Sequence, residues 1–445
     1  MSRRLAAGAI VALAIGVAPA SASEEVSWRV SKLPAASGGH PASYGEPGIA
    51  AGPDGRLIVN AARANAGYPT WWFSSDDGTH WGRGRDLDRS GAMTGDADAA
   101  IGPDGYLYVL NLAFNSPPQQ PANPTVLVYS SRDWRHFRGP ASFPPPHGAD
   151  QPDRPWLVPD PNHPGRVYVT NSEGAGDVVV WTSTDHGYTF RGPTLVTGAQ
   201  HAGSIELTSR PLFDRRRIVI VYEASKPSQP SVAQPLADFP LTQLWEAESN
   251  DLGRTWGNHL ILDIGSGSLG HVLPAAAVGT DGTMYVAFSL RNGGGTQTHI
   301  FVMHSTGPRW SKPIRVDRGK LGSNVMPALA AGARGRIDIA WYASASTGFT
   351  NPHSRWVETF AQSVDALNKR PSFRRSELSG VTHIGSVDSS GNPGSSQYDW
   401  GLRDFQSIVV DACGMAHVAW TNDRRQATLV ARQLSGPSLR SRGHC

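Results

Sequence analysis

The sequence predicts an all-β fold, a single β-propeller of seven four-stranded antiparallel blades, with a six-bladed ring as the alternative. Three observations carry that reading. A motif of Ser, Asp, Gly and a closing aromatic occurs three times, at 74–81 (SSDDGTHW), 183–190 (STDHGYTF) and 249–256 (SNDLGRTW). A second unit, an apolar patch followed by a polar turn and an alternating strand, recurs seven times at intervals of about 50 to 80 residues. The seventh copy runs out before an outer strand, whereas an alternating segment, 28–33 (WRVSKL), stands ahead of the first. Pairing the two closes the ring and removes an open sheet edge.

The seven units read GIAAGPDGRLIVNAAR from Gly48, AAIGPDGYLYVLN from Ala99, PWLVPDPNHPGRVYVTN from Pro155, PLFDRRRIVIVYEA from Pro211, AAAVGTDGTMYVAFS from Ala275, ALAAGARGRIDIAWYA from Ala328 and SIVVDACGMAHVAWTND from Ser407. Each is a pair of strands around a polar break. In the first blade strands are expected at 48–51, 57–61 and 69–74, with the outer strand near Trp81; in the last, at 407–410, 416–420 and 427–433. The SxDxG segment reads as a hairpin turn. Its Asp or Ser can hydrogen-bond the local backbone, Gly accepts a positive φ, and the aromatic tucks back into the core. Worn copies stand at 130–137, 305–310 and 363–373. Four long connections, 115–124, 225–240, 343–353 and 380–400, exceed what compact blades need and are candidate walls of a pocket.

The SxDxGxxW (or F) box after an xxDGxxYVA strand pair resembles the Asp-box, or BNR, repeat of the sialidase-like β-propellers, over nearly the whole chain after residue 22. The same box occurs in sialidases, xyloglucan-degrading hydrolases, sorting receptors and photosystem assembly factors, so the resemblance implies the fold before it implies an activity. A sialidase needs three arginines for the substrate carboxylate, a Tyr activated by Glu as nucleophile, and an Asp as acid/base. The family's first arginine lies in an F/Y-R-I-P motif just ahead of the first inner strand. Here that place reads Tyr44-Gly45-Glu46-Pro47, so Tyr and Pro match while the arginine is absent. On this resemblance Tyr342 is a candidate nucleophile, and Arg63, Arg291, Arg403 and Arg424 are candidate carboxylate binders.

Residues 1–22 have a basic start, an apolar run over 5–17 and an Ala20-Ser21-Ala22 end, the pattern of a secretory signal peptide cleaved near Ala22. The propeller then spans 23–445. No later stretch has the ~18 consecutive apolar residues of a membrane span. A formal net charge of +3 without a basic, aromatic-interleaved run argues against a nucleic-acid partner. There is no GxSxG elbow, HExxH, P-loop or CxxC pair, and no metal or other cofactor is expected. A carbohydrate partner and a monomer are. Cys413 and Cys445, the two cysteines, are expected to pair in an exported protein.

In a propeller the loops leading into inner strands share a face with the loops leaving second strands, and the box turns lie on the opposite face. Asp76, Asp185 and Asp251 are therefore read as structural. The lead-in loops instead bring Tyr44, Glu46, Asp96, Asp98, Asp150, Asp153, Arg154, Glu206, His271, Asn324, Arg403 and Asp404 to one funnel, and the exit loops add Arg63, Asn111, Glu173, Glu223, Arg291, Tyr342, Asp423 and Arg424. Carboxylates, His and Tyr suit acid/base work, and arginines suit an acidic sugar. The catalytic candidates are Asp153, Asp404, Glu46, Asp98, His271 and Tyr342; the substrate-binding candidates are Arg63, Arg154, Arg291, Arg403 and Arg424. The expected function is that of a secreted glycoside hydrolase of the sialidase-like type, acting on an acidic or complex glycan through two carboxylates. The alternatives are a polysaccharide lyase, with His271 or Tyr342 abstracting a proton beside a uronate, and a binding propeller without catalysis.

Overall fold

The computed structural model describes residues 25–36, 44–62, 69–87, 93–114, 125–143, 152–173, 176–198, 206–214, 216–226, 241–269, 273–293, 295–319, 322–349, 351–387, 399 and 401–440. The signal-peptide segment and the 115–124 connection lie outside them, as do most of 225–240 and much of 380–400. The described residues form strands and turns, with one short 3-10 turn at Asp423–Arg425.

Seven antiparallel sheets follow one another, as the repeats predict. Blade one is Gly45–Ala51, Leu57–Ala62, Thr70–Ser74 and Arg85–Asp86; its outer strand lies a few residues beyond the Trp81 expected from the sequence. Blades two and three begin with Met93–Ile101 and Pro152–Pro159. In blade four the inner strand is split into Glu206–Thr208 and Leu212–Asp214, and in blade five into Gly267–Ser268 and Ala275–Val278. Blade six begins with Ser323–Ala331. Blade seven takes Ser407–Val410, Ala416–Asn422 and Ala427–Ser435 from the end of the chain and Ser27–Lys32 from its start. Trp28 pairs with Gln433 and Lys32 with Leu429. The Trp28 indole also reaches blade six, donating to Ser376 Oγ at 3.0 Å and meeting Phe360 edge-on at 4.6 Å. The closing strand thus seals the seam between the last two blades.

Burial explains why the second strands read as continuous apolar runs. Every residue of Leu57–Ala62, Val167–Glu173, Ile337–Ser344 and Ala416–Asn422 is buried, because each blade is covered on both faces by its neighbours. Outer strands such as Gly257–Asp263 stay largely exposed. The core is accordingly distributed between blades: Trp420 and Val418 of blade seven pack with Tyr342, Trp356 and Phe360 of blade six.

The three SxDxG segments form one hydrogen-bonded turn between third and outer strands. Ser183 Oγ donates to Asp185 Oδ1 at 2.7 Å, the Gly187 N–H returns to Ser183 Oγ at 2.9 Å, and the Thr189 N–H reaches Asp185 Oδ1 at 3.0 Å. Ser74–Asp76 and Ser249–Asp251 repeat this at 2.9 and 2.8 Å. The turn uses two successive left-handed residues, Asp77-Gly78, His186-Gly187 and Leu252-Gly253, rather than the glycine alone. Among the worn copies, Ser131–Asp133 and Ser363–Asp365 keep the Ser–Asp bond, whereas Ser305 hydrogen-bonds the Gly307 carbonyl in place of a carboxylate. Trp81, Phe190 and Trp256 are only partly buried; the fully buried large side chains include Trp72, Trp134, Trp341, Trp356 and Trp420. Cys413 is disulfide-bonded, and the chain's one other cysteine, Cys445, lies outside the described residues. Among the described residues no helix is long and apolar enough to cross a membrane.

Candidate functional site

The site begins with a local backbone device. Glu46, Arg154, Leu273, Met326 and Arg403 have left-handed φ values of 47, 51, 65, 55 and 64°, and the first four are each followed directly by proline. The register shifts at this point in blades one, three and six, the signature of a bulge, and Pro sits there without wasting a ladder donor. The bulge frees backbone N–H groups from the ladder and turns side chains at the start of the inner strands toward neighbouring blades.

Those N–H groups are taken up by carboxylates of adjoining blades. Glu46 of blade one accepts the Asp96 N–H of blade two at 2.9 Å and the Asp404 N–H, beside blade seven, at 3.3 Å. Asp96 accepts the Arg154 N–H of blade three at 2.8 Å. The Arg154 guanidinium then returns across the ring to Asp404 Oδ2 at 3.0 Å and pairs with Asp153. Four blades are thereby linked through four carboxyl groups around one guanidinium. Glu46, Asp96, Arg154 and Asp404 are buried, whereas the Asp153 side chain is 47% exposed.

Burial and crowding of like charge set the protonation. Glu46, 2% exposed, is pushed up to about 7, first by loss of water and then by the Asp404 carboxylate, with the Arg403 cation pulling the other way. Asp96 is raised well above the carboxylate range by burial and then by Glu46 and Asp153. The cluster therefore holds protons toward neutral pH beside a half-exposed carboxylate, an arrangement suited to proton transfer.

Of the predicted residues, the structure brings together Glu46, Asp153, Arg154, Arg403 and Asp404, with Asp96. Asp98 is sealed beneath them: fully buried, it accepts the Ala99 and Leu157 N–H groups at 2.8 and 2.9 Å and pairs with Arg210. It is a strut between blades rather than a group that meets solvent. Tyr342, expected at the funnel, is instead 0% exposed between blades six and seven, where its hydroxyl accepts the Thr421 N–H at 3.1 Å. Burial, and then Glu358 opposite it, raises its pKa well above that of an ordinary phenol. Arg291 lies over the Phe349 ring at 5.8 Å and Arg424 on the seam between blades six and seven, both apart from the cluster. Arg63 and His271 lie outside the described residues. A cavity of about 60 Å³ lined by Trp156, Arg210, Leu273, Met326 and Phe405 is far below the ~300 Å³ at which ligand pockets begin.

One group escaped sequence reasoning. His383 is buried between two carboxylates, with Nδ1 3.0 Å from Asp423 and Nε2 3.3 Å from Asp399. Burial opposes its charge, but the bonds to Asp399 and Asp423 outweigh that and raise it to about 9, so the imidazole is a cation at neutral pH. A Cβ on Gly401 would lie 2.5 Å from the ring, so glycine makes room for it. Asp423 is tied through Gln426 to Tyr44, two residues before Glu46. The sequence signal available was a lone histidine in a Gly-rich connection, which does not reveal partners at positions 399 and 423.

A scan against protein-family models finds no match, and a search of the curated proteins finds none. Among solved structures, the chain is similar to a polysaccharide lyase of family PL25, an ulvan lyase bound to -[GlcA(1-4)Rha3S]-, with a TM-score of 0.55 at 11% identity over 92% of this chain and 96% of that one. It is similar to the BP39L lectin from Burkholderia pseudomallei, with a TM-score of 0.53 at 15% identity over 85% and 97%. A Hadza microbial sialidase, Hz136, aligns with a TM-score of 0.45 at 13% identity over 88% and 66%. At these identities the likeness to the lyase and the lectin establishes the fold that the repeats predict, a β-propeller whose strands run from the first described residues to the last blade.

Proposed function

We propose that the chain is an exported carbohydrate-active enzyme of the sialidase-like, Asp-box type, cleaving an acidic or complex glycan by hydrolysis. The observation that carries this reading is the inner-strand cluster, where Glu46 keeps its proton up to about pH 7 beside Asp404, and where Asp153 is half exposed. Asp153 donates a proton to the glycosidic oxygen as the C–O bond breaks, and a water molecule adds to the sugar carbon and returns its proton to Asp153. Arg154, held by Asp404 at 3.0 Å, fixes the orientation of Asp153. Glu46, too buried to touch substrate, limits the negative charge that accumulates around them. Arg403 supplies a cation for an acidic substituent.

The test is a panel of sialosides, uronate polysaccharides and neutral plant glycans incubated with the purified protein and with Asp153→Asn. New reducing ends without ultraviolet-absorbing unsaturated ends, reduced by ~100-fold or more in a variant that melts like wild type, support the hydrolase. Unsaturated ends identify a lyase, the activity named for the ulvan lyase neighbour. Retention without cleavage of any glycan overturns the enzymatic reading.

A further inference from the structure

Arg56, Arg210, Arg217 and Arg334 each have a carboxylate at hand. One groove instead gathers four cationic side chains. It lies on the rim between the outer strand of blade five, Ile314–Arg315, and the turn between third and outer strands of blade six. It has a volume of about 490 Å³ and is lined by Arg315, Arg318, Lys369 and Arg370. Among the described residues no carboxylate lies within ion-pair distance of Arg318, Lys369 or Arg370.

The acidic groups nearby are already committed. Asp317 is buried and shared between Arg315 at 2.9 Å, His299 at 3.0 Å and the Ile300 N–H at 2.8 Å. Asp365 closes its own turn through Ser363 and Ser372. Behind the groove, Arg375 donates to the carbonyls of Val316 and Phe373 at 2.8 and 2.9 Å instead of to a carboxylate. Its pKa is lowered by burial and then by the Arg318 cation, with Arg315 adding to the effect against Asp317. Around Arg375 the cations Arg318 and Arg315 thus outweigh the one carboxylate, Asp317.

We propose that this groove binds a run of carboxylate or sulfate groups on a linear acidic polysaccharide, at a site separate from the inner-strand cluster. Planar guanidinium forks match such anions, and a concave rim can follow an extended chain. A single-stranded nucleic acid is the poorer fit, because no exposed aromatic lines the groove to stack a base. A membrane surface is poorer too, since the lining offers only Ile314 and Pro371 as apolar groups and neither is exposed.

Binding here is independent of any cleavage, and the experiment keeps the two apart. Wild-type protein, Asp153→Asn and the triple variant Arg318→Ala/Lys369→Ala/Arg370→Ala are titrated at low salt against alginate, dextran sulfate and neutral dextran. A single-stranded oligonucleotide and phosphatidylserine vesicles are run beside them. Wild type should bind both acidic polymers, release them as salt rises, and ignore neutral dextran, while Asp153→Asn is run so that any cleavage of the polymers is read apart from binding. The triple variant should bind about tenfold more weakly with an unchanged melting temperature, three exposed charges each contributing a fraction of a decade. Equal binding by the triple variant overturns the proposal. So does absence of binding to either acidic polymer, equal binding to neutral dextran, or tighter binding to the oligonucleotide or the vesicles.

Discussion

Replacing Arg154 with Met removes the cation that touches two of the cluster's four carboxyl groups while leaving the backbone at ease. Met326 stands at the equivalent bulge of blade six with φ 55°, against 51° at Arg154, so the substituted residue is one this position accepts. What is lost is the pairing with Asp404 at 3.0 Å and with Asp153, and what remains is a buried carboxylate beside Glu46 and Asp96. Breaking a buried pair from one side costs about 3–5 kcal/mol; Asp153 can turn to solvent, which favours the lower end. For 445 residues at ~2.1 cal/mol/K each, that corresponds to a melting temperature lowered by roughly 3–5 °C at pH 7. The loss should shrink toward pH 5. With one cation fewer, the folded cluster retains protons more strongly than the unfolded chain does, so acid stabilises the variant relative to wild type. Differential scanning calorimetry of both proteins from pH 5 to 8 measures this. A loss below 1 °C, or one that is the same at both ends of the range, refutes the reasoning that the guanidinium is the electrostatic centre of the ring.

Glu46 makes wild-type stability fall with rising pH. Its folded pKa, about 7 against an ordinary 4.5, means the stabilisation is complete below pH 4.5 and lost as pH rises through 7, by about 3 kcal/mol in all. Glu46→Gln should flatten that slope, and urea titrations at pH 5 and 8 compare the two; an unchanged slope contradicts the assignment. His383, raised to about 9, continues the trend, its contribution present below 6.5 and lost as pH rises through 9, so His383→Gln should remove the loss of stability between pH 8 and 9.5. Core anchoring belongs to fully buried rings, so Trp420→Ala should cost about 3–5 kcal/mol and Trp256→Ala, half-buried at its turn, clearly less. Equal losses would place the anchors back at the turns.

Much of the architecture was legible because it is repeated. Apolar runs buried on both faces recur in every second strand, and Ser, Asp and Gly recur in turns that close on their own atoms, such as Ser183 with Asp185 and Gly187. Such interactions are local, so residue type and spacing suffice to read them. The closing strand was legible by elimination, since 28–33 alternated without a partner and the last blade lacked one. The box aromatics Trp81, Phe190 and Trp256 pack against the core without being fully buried. A terminal Trp or Phe in a motif looks like a core anchor, but its depth depends on the neighbouring blade, which the motif does not contain.

The site divides in the same way. Sequence alone determined that lead-in residues far apart in the chain approach one another, because a closed ring of like blades puts the starts of all inner strands together; Glu46 and Asp404, 358 residues apart, are joined as that logic requires. Only the tertiary structure decided which of them share hydrogen bonds, which are sealed and which reach solvent. Asp98 and Asp153 are alike on paper, yet one is closed off by Arg210 and two backbone N–H groups while the other is half exposed. Tyr342 has the composition of a nucleophile and the surroundings of a core residue. Protonation, too, is a property of place. Loss of water and the Asp404 carboxylate of the adjoining last blade raise Glu46, and neither is encoded within reach of residue 46 along the chain.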